Sequence, residues 1–172
     1  SANYYYVNKS SLPKVYGGFN TSLSWKGFDL SAIFAYSIGG YIYNRDITMI
    51  LHNGSLEGRD WSTEILKRWT PENRYTDVPA LSTTSNNWNS ASTRFLQNNS
   101  YMRLKNLTLS YDLPKQWISK LALSSVQVFV QGDNLFTIHR NQGLDPEQGI
   151  TGITYYRYPA MRTISGGINL SF

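Results

Sequence analysis

Apolar and polar residues alternate with a period of two in blocks of about ten residues, and this pattern constrains the fold most. In the block that starts at Tyr16, Phe19, Leu23 and Trp25 fall on one face and small polar residues on the other. Successive side chains of a β-strand point to opposite faces, so each block predicts one strand. The sequence therefore predicts an all-β, antiparallel fold. Its strands are expected over residues 16–26, 28–38, 101–112, 125–138 and 161–172.

The residues of the polar face favour a barrel over a soluble protein. On a water-exposed sheet, Lys, Glu and Arg keep the surface soluble and protect the sheet edges. Here the polar positions hold Ser, Thr, Asn, Gln and Gly, with Asp29 as a rare charge, and charged residues make up only 16% of the chain. Such side chains suit the inside of a barrel. The alternative is a soluble carbohydrate-binding β-sandwich, in which a second layer of the same chain would bury the apolar face.

The lengths of the strands and of their connections also indicate a transmembrane barrel. A tilted strand crosses a bilayer in about 9 to 11 residues, whereas soluble strands average about 5 to 6. Residues 26–27 predict a tight turn, 39–100 a long loop, 112–125 a short connection and 140–158 a second long loop. Outer-membrane barrels have short periplasmic turns and long extracellular loops, so we expect a periplasmic carboxyl terminus. Because such barrels need at least about eight strands, we expect the chain to be the carboxyl-terminal part of a larger barrel.

The apolar face of these strands is expected to meet lipid. Aromatic residues near the strand ends fit the girdle that barrels place at the membrane interface. In a soluble protein the same residues would form the rim of a hydrophobic core. The lipid-facing and girdle residues predicted in this way are Trp25, Phe28, Leu30, Phe34, Tyr36 and Tyr111.

A short helix is predicted inside the first long loop. Trp61, Ile65 and Trp69 recur at helical spacing, and Asp60 or Ser62 could cap the amino end. A second small helix is predicted in the connection after residue 112, with Pro114 in its first turn and Leu121 near its end.

Two registers remain open for the strand over residues 101–112. With unbroken alternation, Arg103 and Lys105 share the face of Leu107, which would place two cations on the apolar side. A bulge near Lys105 would instead return Met102 and Leu104 to that face.

The sequence gives no reason to expect a catalytic, metal or cofactor site. His52 and His139 are isolated from carboxylates at ligand spacing, and Asp145-Pro146-Glu147 is interpreted as a turn. The chain has no Cys and no nucleophile-elbow, zinc-protease or phosphate-loop motif. The formal net charge is +5, but the basic residues are scattered, so nucleic-acid binding is not expected. We expect no enzyme activity.

Several segments together resemble the carboxyl-terminal strands of SusC/RagA-like TonB-dependent outer-membrane transporters. The resemblance covers residues 13–172 in the same order. The segments are PKVYGGFNTSLSWKGFDLSAIFAYSIGG, RWTPENRYTDVP, SYMRLKNLTLSYDLP, VQVFVQGDNLFT, LDPEQG and YPAMRTISGGINLSF.

This resemblance implies a large plugged barrel in the outer membrane of a Gram-negative cell. Such a barrel imports glycans or peptides, a SusD-like surface lipoprotein closes its mouth as a lid, and the TonB complex supplies energy through upstream parts. The present chain would supply wall strands and two long extracellular loops. Loop aromatics Trp88, Tyr155 and Tyr156 are candidates for contacts with the ligand or the lid.

The terminal residues Ile168, Leu170 and Phe172 resemble the signal that the barrel assembly machinery reads. An apolar, alternating strand that ends in an aromatic residue can add to an exposed strand edge of a partner. Phe172 could also serve as an interfacial anchor, and the two roles are compatible.

Overall fold

The computed structural model describes residues 5–52, 58–82, 90–119, 123–147 and 151–172. The chain divides into two compact units. The sheet unit comprises Pro13–Gly40, Asn99–Glu147 and Tyr158–Phe172. The loop unit comprises Ser1–Leu12, Tyr41–Asn98 and Gln148–Arg157. In the described ranges, no helix is long and apolar enough to cross a membrane.

Strands dominate the described residues, as the alternation predicts. The strands are β1 (Val15–Trp25), β2 (Phe28–Ile38), β3 (Tyr41–Asn44), β4 (Leu96–Asn98), β5 (Tyr101–Asp112), β6 (Ser125–His139), β7 (Ile153–Thr154) and β8 (Thr163–Ser171). The helices are α1 (Arg45–Ile50), α2 (Lys115–Ile118) and two 3₁₀ helices over Thr63–Lys67 and Thr93–Phe95.

The sheet unit is one five-stranded sheet in the order β1-β2-β5-β6-β8, with every neighbouring pair antiparallel. The predicted all-β, antiparallel fold is thereby confirmed. A tight turn joins β1 to β2, with Trp25 opposite Phe28. Lys26, expected at the end of the first strand, belongs to this turn, because Lys26 and Gly27 both have positive φ, at 48° and 86°. Two consecutive residues with positive φ match the twist of a two-residue hairpin.

The register of β5 contains the bulge that was one of the two sequence possibilities. Leu104 pairs with Phe34 and Leu107 with Ala32, so the pairing skips one residue at Lys105. Met102 and Leu104 therefore share the face of Leu107. The bulge turns Arg103 to the opposite, polar face, which removes the need to place its charge among apolar side chains.

The two faces of the sheet differ in chemistry along every strand. On the apolar face, Phe28 is 44% and Leu30 is 40% exposed. Within the described part of the sheet unit, no second layer covers this row, so the fold differs from the β-sandwich alternative. Further exposed residues on the apolar face are Phe19, Leu23, Leu109, Val128, Val130, Ile164, Ile168 and Leu170.

The loop unit has secondary structure and a core of its own. β3 pairs with β4 antiparallel and with β7 parallel in a three-stranded sheet. The expectation of a long loop with one short helix is therefore too simple for this region, because β3 and β4 are only four and three residues long. Strands of that length are too short to show alternation. The buried apolar residues of the unit include Ile42, Leu51, Ile65, Val78 and Phe95.

The helix predicted around Trp61 to Trp69 is shorter than its spacing suggested. It is the 3₁₀ helix Thr63–Lys67, and the Ser62 side chain, not that of Asp60, accepts the capping bond from the Glu64 N–H. Only Ile65 of the three apolar residues is buried. Loop side chains satisfy the last carbonyl of this helix. Asn73 Nδ2 and Thr76 Oγ1 donate to the Lys67 carbonyl at 2.9 and 2.6 Å.

The small helix after residue 112 is α2. Pro114 lies at its N-cap rather than inside its first turn, and the helix ends at Ile118. Leu121, the expected end, lies outside the described residues. The Leu113 N–H donates to the Val126 carbonyl at 2.9 Å, which holds this connection against the end of β6.

Candidate binding surfaces

The girdle and lipid-facing residues predicted from the sequence all lie on the apolar face of the sheet. Phe28 contacts Tyr111 in a tilted arrangement with ring centroids 4.4 Å apart, and Phe19 stacks against Phe34 at 4.8 Å. Trp25 is 63% exposed at the hairpin, and the Lys26 ammonium lies 4.9 Å from its ring. Tyr36 is opposite Met102 in the register and is partly exposed. These residues form one continuous apolar surface across neighbouring strands.

Hydrogen-bonded, mostly neutral side chains cover the polar face. Asn106 donates to Asp133 at 2.7 Å, and Asn169 donates to Gln127 at 3.2 Å. Phe129 is an apolar exception on this face. Its ring covers Gly167, where an added Cβ would lie 2.8 Å from the ring, so glycine makes room for it. The face thus satisfies its polar groups within the sheet while presenting little charge.

A buried charge cluster lies on the polar face where β5 meets the second long loop. Arg103 is 3% exposed, and its guanidinium contacts the Asp145 carboxylate. Arg103 Nη1 donates to Glu147 Oε2 at 2.7 Å, and Arg103 Nε donates to Thr137 Oγ1 at 2.8 Å. Lys105 Nζ lies 2.6 Å from the Glu147 carboxylate. A buried guanidinium requires such partners, because removing its charge from water is costly.

Asp145 also fixes the backbone of the second long loop. Its carboxylate accepts the N–H of Ala160 at 2.6 Å and that of Glu147 at 2.9 Å. Burial alone would raise the pKa of Asp145, but these two N–H donors and Arg103 together hold it below its ordinary value of 3.8. Asn99 Nδ2 donates to the Pro146 carbonyl at 2.8 Å. The loop is therefore held to the sheet by its acidic segment.

Sequence reasoning missed this charge cluster. The interpretation of Asp145-Pro146-Glu147 as a turn accounts for a bend and not for the two carboxylates. The available signal was Arg103, because a cation that a bulge moves to the polar face needs an anion. Nothing in the linear pattern identified Asp145, which lies 42 residues away along the chain.

The loop aromatics Tyr155 and Tyr156 form an exposed pair in the loop unit. Their ring centroids are 4.1 Å apart at an angle of 48°, and the residues are 42% and 64% exposed. The Arg45 guanidinium lies 4.8 Å from the Tyr155 ring, and Arg59 Nη1 donates to the Tyr156 hydroxyl at 3.3 Å. A side-chain hydrogen bond with Tyr156 raises the pKa of Tyr155, and burial raises it further. The Tyr156 N–H donates to Asp46 Oδ1 at 3.0 Å.

The remaining predicted site residues are Trp88 and the terminal residues Ile168, Leu170 and Phe172. Trp88 lies outside the described residues. Ile168 and Leu170 are opposite Val128 and Val126 on the apolar face, and Phe172 follows the end of β8. In the part of the chain that the structure describes, no group of three or more His, Cys, Asp or Glu residues could hold a metal ion.

His52 is a buried loop residue, 1% exposed. Its Nδ1 accepts the indole N–H of Trp61 at 3.0 Å, so the imidazole links two parts of the first long loop. This contact gives Trp61 a packing partner that helical spacing did not predict.

The chain is similar to several curated proteins over most of its length. It is 33% identical over 166 residues to TonB-dependent receptor P3 of Formosa agariphila, which covers 90% of this chain and 16% of that protein. It is 27% identical over 168 residues to TonB-dependent receptor SusC of Bacteroides thetaiotaomicron, covering 97% of this chain and 16% of that protein. The chain thus spans about one sixth of these relatives. No protein-family model matches it.

A similar fold occurs among solved structures. A chain of the RagAB peptide transporter superposes with a TM-score of 0.85 at 35% identity, covering 96% of this chain and 18% of that chain. The RagAB peptide importer in its open-open state gives a TM-score of 0.84 at the same identity and coverage. The fold of this chain is therefore similar to part of a solved transporter.

Proposed function

Because this chain belongs to the SusC/RagA-like TonB-dependent transporters, we propose that it forms wall strands and outer loops of a nutrient importer in the outer membrane. The observation that carries this proposal is the exposed apolar face of the sheet unit. Leu23 is 67% and Ile168 is 63% exposed on that face, whereas hydrogen-bonded polar groups, most of them neutral, cover the other. Hydrocarbon would bury the first face, and a water-containing lumen would solvate the second.

In this arrangement Trp25, Phe28 and Tyr111 would lie near the periplasmic interface. The two short connections and the end of β8 lie together, since the Asp112 N–H donates to the Gly27 carbonyl and the Ser124 N–H to that of Ser171, each at 2.8 Å. This end of the sheet would face the periplasm, with the carboxyl terminus, and the long loops would face the cell exterior. Ile168, Leu170 and Phe172 would form the signal for the barrel assembly machinery.

The cargo is a glycan or a peptide. A SusD-like lipoprotein acts as the lid during uptake, and the TonB complex supplies the energy. The similarity to SusC and to the RagAB peptide transporter supports this class of cargo and partner. Receptors and transporters among the relatives favour transport over catalysis. Trp88, Tyr155 and Tyr156 remain candidate contacts for ligand or lid.

Gene deletion in the source bacterium tests the transport proposal. Cells that lack the full-length protein should lose uptake of a fluorescently labelled oligosaccharide or peptide pool, and the intact gene should restore it. The pool that is lost identifies the cargo class. Unchanged uptake of all pools would contradict the proposal. Copurification of a surface lipoprotein with the tagged full-length protein tests the lid separately.

Removal of Phe172 tests the assembly signal. The full-length protein without Phe172 should reach the outer membrane at a lower level, while Phe172→Tyr, which keeps a terminal aromatic ring, should retain the normal level. Equal surface abundance of the unchanged protein, the protein without Phe172 and Phe172→Tyr would show that Phe172 is not part of the signal.

A further inference from the structure

The surface around Tyr155 and Tyr156 combines aromatic rings with two guanidinium groups, all within the loop unit. Arg45 lies over Tyr155 and Arg59 reaches the Tyr156 hydroxyl, with both arginines exposed. We name Arg45, Asp46, Arg59, Tyr155 and Tyr156 the Tyr/Arg cluster. Its members come from α1, from the segment before the first 3₁₀ helix and from the segment after β7. Three separate parts of the loop unit thus converge on one exposed surface.

The backbone holds Tyr156 in an unfavourable conformation. Its φ is 49°, in the left-handed region that bulky residues rarely adopt. The Asp46 carboxylate accepts the Tyr156 N–H at 3.0 Å, and this hydrogen bond stabilises the strained conformation. Strained residues that their surroundings hold in place concentrate at binding sites. In this backbone conformation the ring of Tyr156 lies against that of Tyr155 and stays exposed to solvent.

The charge of the Tyr/Arg cluster is unbalanced. Arg103 and Lys105 of the buried charge cluster each contact a carboxylate. By contrast, no described carboxylate lies within ion-pair distance of Arg45 or Arg59, and the Asp46 carboxylate bonds a backbone N–H. Two arginines and one aspartate give the Tyr/Arg cluster itself a formal charge of +1. Within the described residues, the exposed guanidinium groups therefore have no carboxylate partner and could bind an anion.

We propose that the Tyr/Arg cluster is a subsite for an anionic sugar residue of an imported glycan. The inference rests on the proposed transport function and specifies the cargo. The C–H face of the sugar ring would pack on the Tyr155 and Tyr156 rings, and its carboxylate or sulfate would bind Arg45 and Arg59. Arginine recognises both groups through paired N–H donors.

A sugar residue fits this arrangement better than an acidic peptide does. The rings and the guanidinium groups lie within contact distance of each other, so one small ligand residue must satisfy both. A sugar acid or sulfated sugar has an apolar ring face and an anionic substituent in a single residue. In a peptide, the apolar and the acidic groups belong to different side chains, or the anion is a terminal carboxylate.

Calorimetric titration of the full-length transporter in detergent tests the inference. The probes are two matched pairs: an oligogalacturonide with its methyl ester, and a sulfated carrageenan oligosaccharide with its desulfated form. The intact transporter should bind the charged member of at least one pair about tenfold more tightly, as one charge-assisted contact supplies. The pair that shows the preference distinguishes carboxylate from sulfate.

The variants separate charge recognition from ring packing. Arg45→Gln with Arg59→Gln should abolish the preference for the charged probe without changing the affinity for the neutral one. Arg74→Gln with Arg162→Gln, which removes two charges elsewhere, should retain the preference. Tyr155→Ala should weaken binding of both members of the pair.

Three results would overturn the inference. The first is equal affinity for charged and neutral probes in the intact transporter. The second is a preference that survives loss of Arg45 and Arg59. The third is binding of an acidic peptide and of no oligosaccharide. Each of these leaves the transport proposal standing, because that proposal fails only when deletion of the gene leaves all uptake unchanged.

Discussion

The loop unit and the sheet unit treat apolar side chains in opposite ways. In the loop unit, Ile42 is 1% and Phe95 is 2% exposed, as in the core of a water-soluble domain. In the sheet unit, Leu23 and Ile168 of the apolar face are each more than 60% exposed. Exposed apolar patches of this extent are rare on soluble monomers. The difference indicates that one unit is built to pack against itself and the other to pack against something else.

Removing a core side chain from the loop unit should have the largest effect. Phe95→Ala in the full-length protein should lower the free energy of local opening of the loop unit by about 3 to 5 kcal/mol, because it leaves a cavity. Hydrogen exchange of the amides in β3 and β4 measures this loss. The matched control is Phe136→Ala on the apolar face, where the side chain is 43% exposed. Equal losses at the two sites would break the distinction between the units.

A charge on the apolar face should have a smaller effect than loss of the core side chain. Leu30→Arg should lower the unfolding free energy in bilayers by about 2 kcal/mol, the low end of the midplane range, because Leu30 lies on the apolar face between the interfacial Phe28 and the midplane. The control is Ser31→Arg, one residue along β2 and on the polar face. Denaturant titration in lipid vesicles measures both. A Ser31→Arg loss as large as that of Leu30→Arg would contradict the assignment of the faces.

The charge cluster predicts an acid-sensitive loop. The pKa of Asp145 in the folded protein lies below its ordinary value. The stability that the Asp145 carboxylate gives the loop is therefore fully present above a pH of about 4, and it is lost as the pH falls through the folded pKa. Asp145→Asn should lower the local opening free energy at neutral pH by about 1.5 to 3 kcal/mol and remove this acid dependence. Exchange at the Glu147 and Ala160 amides measures it.

Asp77→Asn, at an exposed aspartate of the loop unit, is the control for the charge cluster. It should leave exchange at Glu147 and Ala160 unchanged. Exchange at these amides that is equally acid-dependent with and without the Asp145 carboxylate would show that another group controls the loop.

The smallest effect is expected at a helix cap. Ser62→Ala should destabilise the first 3₁₀ helix by about 1 kcal/mol, since its hydroxyl accepts the Glu64 N–H. Ser92 precedes the second 3₁₀ helix without a side-chain capping bond, so Ser92→Ala is a matched control. Local exchange rates compare the two. A larger effect at Ser92 would contradict the capping assignment.

The sequence could predict the sheet because the alternation of apolar and polar residues repeats many times along each strand. Along β1 and β2, every second residue reports which face it occupies, so face and pairing follow from the pattern. The bulge at Lys105 interrupts that pattern once, which left two registers open. The structure selects the one that removes Arg103 from the apolar face.

The loop unit and both clusters depend on contacts that no local pattern encodes. Tyr156 meets Asp46 across 110 residues of sequence, and the β3 strand is too short to show a period. Sequence composition identified Tyr155 and Tyr156 as candidates, but not the two arginines beside them. Long-range partners of this kind appear only when the chain is folded.

The surroundings of the two sheet faces can be measured directly in the full-length protein in bilayers. Nitroxide labels would be placed at Leu23, Leu109 and Val128 on the apolar face and at Ser22, Thr108 and Gln127 on the polar face. The account predicts that lipid-soluble oxygen relaxes the first set more strongly and a water-soluble nickel chelate the second. Equal access of the nickel chelate to both sets would contradict the claim that the apolar face meets hydrocarbon.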